Sequence, residues 1–431
     1  YAYDMRSSNA AVDRLFRTRA ATFGDIVSSQ PAYVKKPTFS YTDPGYSAFK
    51  AAKASRAATV YVGANDGMLH AFNAENGAER WAFIPTPVIP ELWRLADSMY
   101  STNHHYYADG APYIADICTA NCTDSATAVW KTILVAGLNG GGRGYYALDV
   151  TNPDSPSLLW EFLPSSDPDI GFSYGNPVVT KMKDGTWVVL LTSGYNNGTG
   201  SGDYDGGTEV PNSPAGSGKG ILYVLKADAG TVLRKIATSA GTPATPSGLS
   251  KIAAWADNAE KYNIATYVYG GDLLGNLWRF DINETDSAKR LMQFATLKDA
   301  LGKAQPITTK PELGLVNRKR MVFVGTGKYL EASDTESASF SQQTLYGIMD
   351  ADASATLTHP RSVLVKQIQT NDGINRKVTS NSIDYSTKRG WYIDFADAGE
   401  RQNVDGMLIF GTLLTPTTVP TSSVCSPGGY S

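Results

Sequence analysis

The sequence predicts an all-β propeller with long loop insertions, and three observations carry that expectation. Short apolar runs ending in glycine recur along the chain: Val60-Tyr-Val-Gly63, Leu134-Val-Ala-Gly137, Leu191-Thr-Ser-Gly194, Tyr267-Val-Tyr-Gly270, Phe323-Val-Gly325 and Leu408-Ile-Phe-Gly411. Several lead into a second run that closes on an Asx- or Gly-containing turn, as in Leu69–Gly77, Tyr145–Asn152, Leu222–Gly230 and Leu277–Asn283. A third run then carries an aromatic: Trp81-Ala-Phe83, Trp160-Glu-Phe162, Met292-Gln-Phe294. Apolar and polar residues alternating between Gly, Asn and Asp clusters are the signature of half-buried strands. A repeat of such sheets buries both faces of each when they are arranged radially.

The intervals between the marker glycines exceed the ~40–50 residues of a compact blade, so loops are inserted. The clearest spans 195–220, where Gly, Ser, Asn and Asp dominate. Another surrounds Cys118 and Cys122, and a third Ser333–Gln343. All 431 residues read as one domain, with 1–50 as an N-terminal segment leading into the first sheet. Within it Ala10–Phe23 reads as a helix, and Arg14, Arg17 and Arg19 lie on its solvated face. Both ends read as cuts in a longer protein. With 38 Lys+Arg against 41 Asp+Glu, the net charge of −3 excludes the basic field of a protein held to nucleic acid by phosphate charge. No run approaches the ~18–20 apolar residues that cross a bilayer.

Catalytic motifs mostly fail: there is no H-E-x-x-H and no C-x-x-C. Gly325-Thr-Gly-Lys328 lacks the preceding glycine of a phosphate loop and has Tyr329 where Ser or Thr belongs, so it reads as a strand turn. Asp272 and Asp281 follow strand ends and read as turn caps. Cys118 and Cys122, in C-T-A-N-C, are spaced to close a small disulfide loop, and Cys425 has no evident partner. Oxygen-rich loops suit Ca2+, and Asn196, Asn197, Asp203 and Asp205 form one candidate cluster. A candidate contact loop, Tyr100–Tyr107, offers Tyr100, His104, His105, Tyr106 and Tyr107, groups of the kind enriched at interfaces.

Two resemblances follow from these residues. The block Val60–Trp81 is similar to the quinoprotein-type repeat of pyrroloquinoline-quinone dehydrogenases, a largely structural repeat; the adjacent Cys-Cys pair that clamps their cofactor is missing. The chain as a whole resembles the C-terminal propeller of the PilC/PilY-type tip adhesins of bacterial type IV pili. The likeness rests on Gly24-Asp-Ile-Val27, Val60–Phe72, Gly141–Thr151, Ser193–Asn197, Tyr267–Asp281, Phe323–Leu330 and Cys425–Gly429. It implies a modified, quinoprotein-like propeller of about seven blades in a non-enzymatic protein. It further implies export through the periplasm to the outer surface, minor pilins of the pilus tip as partners, and roles in pilus biogenesis, opposing retraction, twitching motility and attachment to host-cell or abiotic surfaces. A periplasmic or outer-membrane propeller scaffold and a quinoprotein dehydrogenase are the alternatives. The family's calcium loop, laid back from the Tyr-Val-Tyr strand, falls on Asn258, Glu260, Tyr262 and Thr266; only Glu260 is a carboxylate. The expectation is that no cofactor is bound and that this loop binds Ca2+ without the family's affinity or not at all.

Overall fold

The computed structural model describes residues 22–198, 215–352, 355–372 and 375–420. The expected helix Ala10–Phe23 lies almost entirely outside them. The chain divides into two compact units. One comprises Tyr1–Lys235, Thr242–Pro246 and Asp257–Ile264, and the other Ile236–Gly241, Ser247–Ala256 and Ala265–Ser431.

The first unit carries three four-stranded antiparallel sheets. The first joins β1 (Ala32–Val34), β2 (Thr59–Gly63), β3 (Leu69–Asn73) and β4 (Glu79–Phe83), with helix α1 (Tyr46–Ala52) between β1 and β2. The second joins β5 (Tyr113–Ala120), β6 (Val129–Gly137), β7 (Tyr145–Asp149) and β8 (Ser157–Phe162). The third joins β9 (Val178–Lys181), β10 (Trp187–Thr192), β11 (Ile221–Lys226) and β12 (Val232–Ala237). Strands β6, β10 and β11 are nearly continuous apolar runs because they are buried on both faces. The outer strands β4 and β12 alternate and are half exposed.

The predicted aromatics tie sheet to sheet. Trp81 of β4 donates its indole N–H to Pro153 O at 2.8 Å, just past β7. Trp160 of β8 repeats the contact one sheet later, donating to Ala227 O at 2.9 Å, just past β11.

The second unit begins with the same pattern: β13 (Ile252–Ala256), β14 (Ala265–Gly271), β15 (Asn276–Phe280) and β16 (Leu291–Thr296). A six-stranded sheet follows, built from β17 (Glu312–Val316), β18 (Lys319–Gly325), β19 (Thr344–Asp350), β20 (Val365–Asp372), β21 (Asn375–Val378) and β22 (Gly390–Asp394). Its spatial order is β17-β18-β19-β22-β20-β21, with β20 parallel to β22. A hairpin, β23 (Met407–Ile409) and β24 (Thr412–Leu414), packs Leu408 and Leu413 against Met321, Phe323 and Met349. The described residues thus hold five sheets of blade size and one hairpin, fewer than the expected seven or so.

The marker glycines serve close approach more than turning. A Cβ on Gly63 would lie 2.0 Å from Ala108 O, and one on Gly137 2.5 Å from Ser173 O. On Gly325 it would lie 1.7 Å from Gln402 Oε1. Gly411 departs from this pattern: the last run is not a strand ending in glycine, because Phe410 and Gly411, both at positive φ, form the two-residue turn between β23 and β24.

Candidate functional site

Asn197 is fully buried at the root of the 195–220 insertion, where its amide donates to Asp169 O at 3.1 Å and Lys219 O at 2.8 Å. Asp203 and Asp205 lie outside the described residues. Beside Asn197 the positive charge is a protein group: Lys235 Nζ sits 2.8 Å from both Asp167 and Asp169. Burial alone would raise the Asp169 pKa, but the bonds from Lys235 and Ser217 outweigh it and hold the carboxyl below its usual range.

The residues at the family's calcium positions form a turn closed by its own backbone. Asn258 O accepts the N–H groups of Lys261, Tyr262 and Asn263, and Asn258 Oδ1 accepts Lys261 N at 3.1 Å. Ser40 N donates to Glu260 O at 3.0 Å and Thr42 N to Lys261 O at 3.2 Å. Asn263 donates to Val179 O at 3.1 Å and Tyr41 OH at 3.3 Å. The Glu260 and Tyr262 side chains point to solvent, and Thr266 is part of β14. Among the described residues no three His, Cys, Asp or Glu side chains gather as a metal site.

Cys118 and Cys122 are bonded, with Cα atoms 5.8 Å apart, across a left-handed Asn121. Cys425 lies outside the described residues.

The Tyr100–Tyr107 loop turns most of its aromatic groups inward. Tyr100 and Tyr107 are buried in the core with Leu69, Val88 and Tyr146. Tyr107 N donates to Asn65 Oδ1 at 3.0 Å, and Tyr100 OH contacts His105 O at 3.3 Å. His105 and Tyr106 are half-buried, and only His104 among the five is exposed. Aromatic rings next to a short sheet are as useful for filling it as for meeting a partner, and composition does not separate the two.

His104 of the loop, the turn between β2 and β3 and the stretch Asp109–Gly110 together pin the Gly24-Asp-Ile-Val27 segment and the serines after it. Gly24 N donates to Asp66 Oδ2 at 2.8 Å, and Asp25 meets His104 Nε2 at 3.0 Å and Asn65 Nδ2 at 3.1 Å. Ser28 N donates to Asp109 Oδ1 at 2.9 Å, while Ser29 Oγ accepts Gly63 N and donates to Gly110 O. Behind Asp66, the buried His70 places Nε2 3.0 Å from Asp66 and Nδ1 2.6 Å from Glu79, with the Phe23 ring 4.7 Å away. Burial would lower the His70 pKa, but its bonds to two carboxylates overcome this and raise it, favouring the imidazolium.

Sequence reasoning missed Asp66 and Asp109 because a polar residue between strands reads as solvated, and His70 because nothing local marks a histidine in a strand as meeting two carboxylates. Between the pins Ile26 and Val27 stay exposed, as do Ile89 and Trp93 on the 3₁₀ helix Thr86–Ala96 and Met99 after it. Arg94 lies over the Trp93 ring at 5.1 Å.

The Gly271–Asp281 block is structural. Asp272 is fully buried and accepts Leu274 N, Asn276 N and Trp278 Nε1 at 2.8–3.0 Å. Asp281 accepts Asn283 N at 2.9 Å and Glu284 N at 3.1 Å. Each carboxylate closes its own turn, as expected of caps. Thr326, in the Gly325–Lys328 turn, accepts Thr344 N on its hydroxyl at 2.8 Å.

Residues 23–369 match the family described as the PilY1 beta-propeller domain. The chain is 32% identical over 468 residues to the type IV pilus biogenesis factor PilY1 of Pseudomonas aeruginosa, covering 96% of this chain and 38% of that protein. It is 34% identical over 445 residues to a PilY1 homolog of Xylella fastidiosa, covering 98% of this chain and 33% of that one. It thus spans less than two fifths of the length of either relative. The crystal structure of the Pseudomonas aeruginosa PilY1 C-terminal domain superposes with a TM-score of 0.69 at 29% identity, over 91% of this chain and 83% of that one. These relatives are pilus biogenesis factors and not enzymes. Among the described residues no helix is long and apolar enough to cross a membrane. A mainly-β propeller whose matched region begins where Phe23 and Gly24 dock on the first sheet, the chain belongs to the PilY1 β-propeller domain family of type IV pilus biogenesis factors.

Proposed function

We propose that this chain is the propeller module of a type IV pilus-tip protein that promotes pilus biogenesis, opposes retraction and mediates adhesion and twitching motility. The observation that carries the reading is the family match over residues 23–369. The partners on this reading are the minor pilins of the tip and a host-cell or abiotic surface, met at the outer cell surface after export through the periplasm. Exposed Trp93, Ile26 and Val27 are the anchors available to a protein contact, since large apolar side chains dominate binding energy. The test is capture of the source organism's minor pilins by the full chain. Trp93→Ala is expected to weaken capture several-fold without changing the melting temperature. No capture by the unaltered chain overturns the assignment of the pilin contact to this module.

The Asn258–Thr266 loop, on the same reading, works without Ca2+. Its turn is supported by backbone hydrogen bonds and by Ser40 and Thr42, so no cation is required to hold it. Calorimetric titration with Ca2+ is expected to show no tight site here. A tight site that disappears in Glu260→Gln contradicts this.

A further inference from the structure

One edge of the six-stranded sheet gathers cations that the pilus role does not use. The turn between β17 and β18 is closed by two residues, Asn317 and Arg318, with Val316 paired to Lys319. Asn317 has φ +50° and Arg318 φ +61°. Such turns favour Asn-Gly, because glycine takes the left-handed conformation without steric cost. An arginine stands there instead, and both Arg318 and Lys319 are exposed without an ion pair among the described residues.

The pairing brings further cations alongside. Arg320 pairs with Asp350 in register, and Met349 N bonds to Arg389 O, so Arg320 and Arg389 flank the end of β19. Arg389 is directed at Met349 O at 2.9 Å, and Lys388 at Ser362 O at 3.3 Å, so both meet backbone carbonyls and not carboxylates. The acids of this edge are largely committed elsewhere. Asp350 accepts from Arg279 at 2.7 Å and Asp352 pairs with Arg320, while the exposed Asp384, which holds Ser386 N at 2.9 Å, keeps its charge. Arg318, Lys319, Lys388 and Arg389 therefore form a cationic crest on a chain whose net charge is −3.

We propose that this crest binds a linear anionic polysaccharide, one bearing sulfate or carboxylate groups along an extended chain. Charges at strand ends on either side of β19, two of them exposed and two half-buried, offer the spaced cations that an extended polyanion complements. A protein partner needs an apolar core to its interface, and the crest itself is made of charged groups only, the exposed apolar side chains near it being Leu315 of β17 and Met407, Ile409 and Phe410 of the hairpin.

The test uses heparin as the probe, with the full chain at low salt, and compares the unaltered protein with the triple variant Arg318→Gly, Lys319→Gln, Lys388→Gln. Arg318→Gly relieves the left-handed backbone, so loss of binding is not loss of fold, and the melting temperature is checked alongside. The triple variant is expected to bind about tenfold more weakly, in keeping with several modest exposed-charge contacts acting together. Lys303→Gln, at a distant turn of the same unit, is expected to bind as the unaltered chain does. The proposal is overturned if the unaltered chain does not bind heparin, or if the triple variant binds equally well, as it would were Arg14, Arg17 and Arg19 the site. Preference for poly-glutamate or for vesicles of anionic phospholipid over heparin also overturns it.

Discussion

At His70 one imidazole meets two carboxylates, and removing it leaves buried Asp66 short of a donor. His70→Gln is expected to destabilise the chain by roughly 1–3 kcal/mol, the usual cost of an unsatisfied buried group. The effect depends on pH. His70 has its pKa raised above 6.5 in the folded state, so its contribution is fully present below 6.5 and fades as pH rises through the raised folded value. Asp66, lowered below 3.8 because its bonds from His70 and Gly24 outweigh burial, acts oppositely, its contribution fading only as pH falls through that lowered value. Melting curves of the unaltered chain and His70→Gln should therefore differ most near pH 5–6 and converge toward alkaline pH. Equal differences at pH 6 and pH 9 would show that the imidazolium is not the stabilising form. Glycines give a second contrast at this scale. Gly63→Ala forces a methyl onto the Ala108 carbonyl, whereas Gly77→Ala meets only open space at φ +74°. The first should cost more than the ~1–2 kcal/mol of a left-handed alanine, and urea midpoints of the two variants would rank them.

Among the elements, the strands were legible because burial on one face or two writes a period or a run into the sequence. The recurrence of Trp81 and Trp160 at one position of the repeat was legible too, whereas the bond each makes to the next sheet was seen only in the structure. Trp81→Phe and Trp160→Phe keep the ring but delete the bond to Pro153 O or Ala227 O, and each should lower stability by about 1 kcal/mol. Loops were not legible. Whether Tyr100 and Tyr107 face solvent depends on Asn65 and Glu91, which come from other segments and leave no local signal in Y-S-T-N-H-H-Y-Y. The final hairpin misled for a related reason: Leu408-Ile-Phe-Gly looks like the earlier glycine-ended strands, yet Phe410 sits at φ +49° and is fully exposed. Phe410→Asn, a residue that tolerates this conformation, should raise the melting temperature; a fall would mean that the ring makes contacts that stabilise the hairpin.

Across the whole molecule, six strands of the last sheet are not laid down in the order in which they pair. The chain passes from β19 out to β20 and β21 before β22 returns to lie between β19 and β20. If the chain folds from its N-terminal side, β19 therefore waits with a bare hydrogen-bonding edge until Gly390–Asp394 docks, and β20 waits for the same five residues. Bare edges recruit other strands, so a chain cut before Gly390 is exposed to mispairing in a way that one continuing past Asp394 is not. The late strand acts as a keystone, and the docking of that short stretch decides whether the outer half of the sheet closes on itself or on a neighbour.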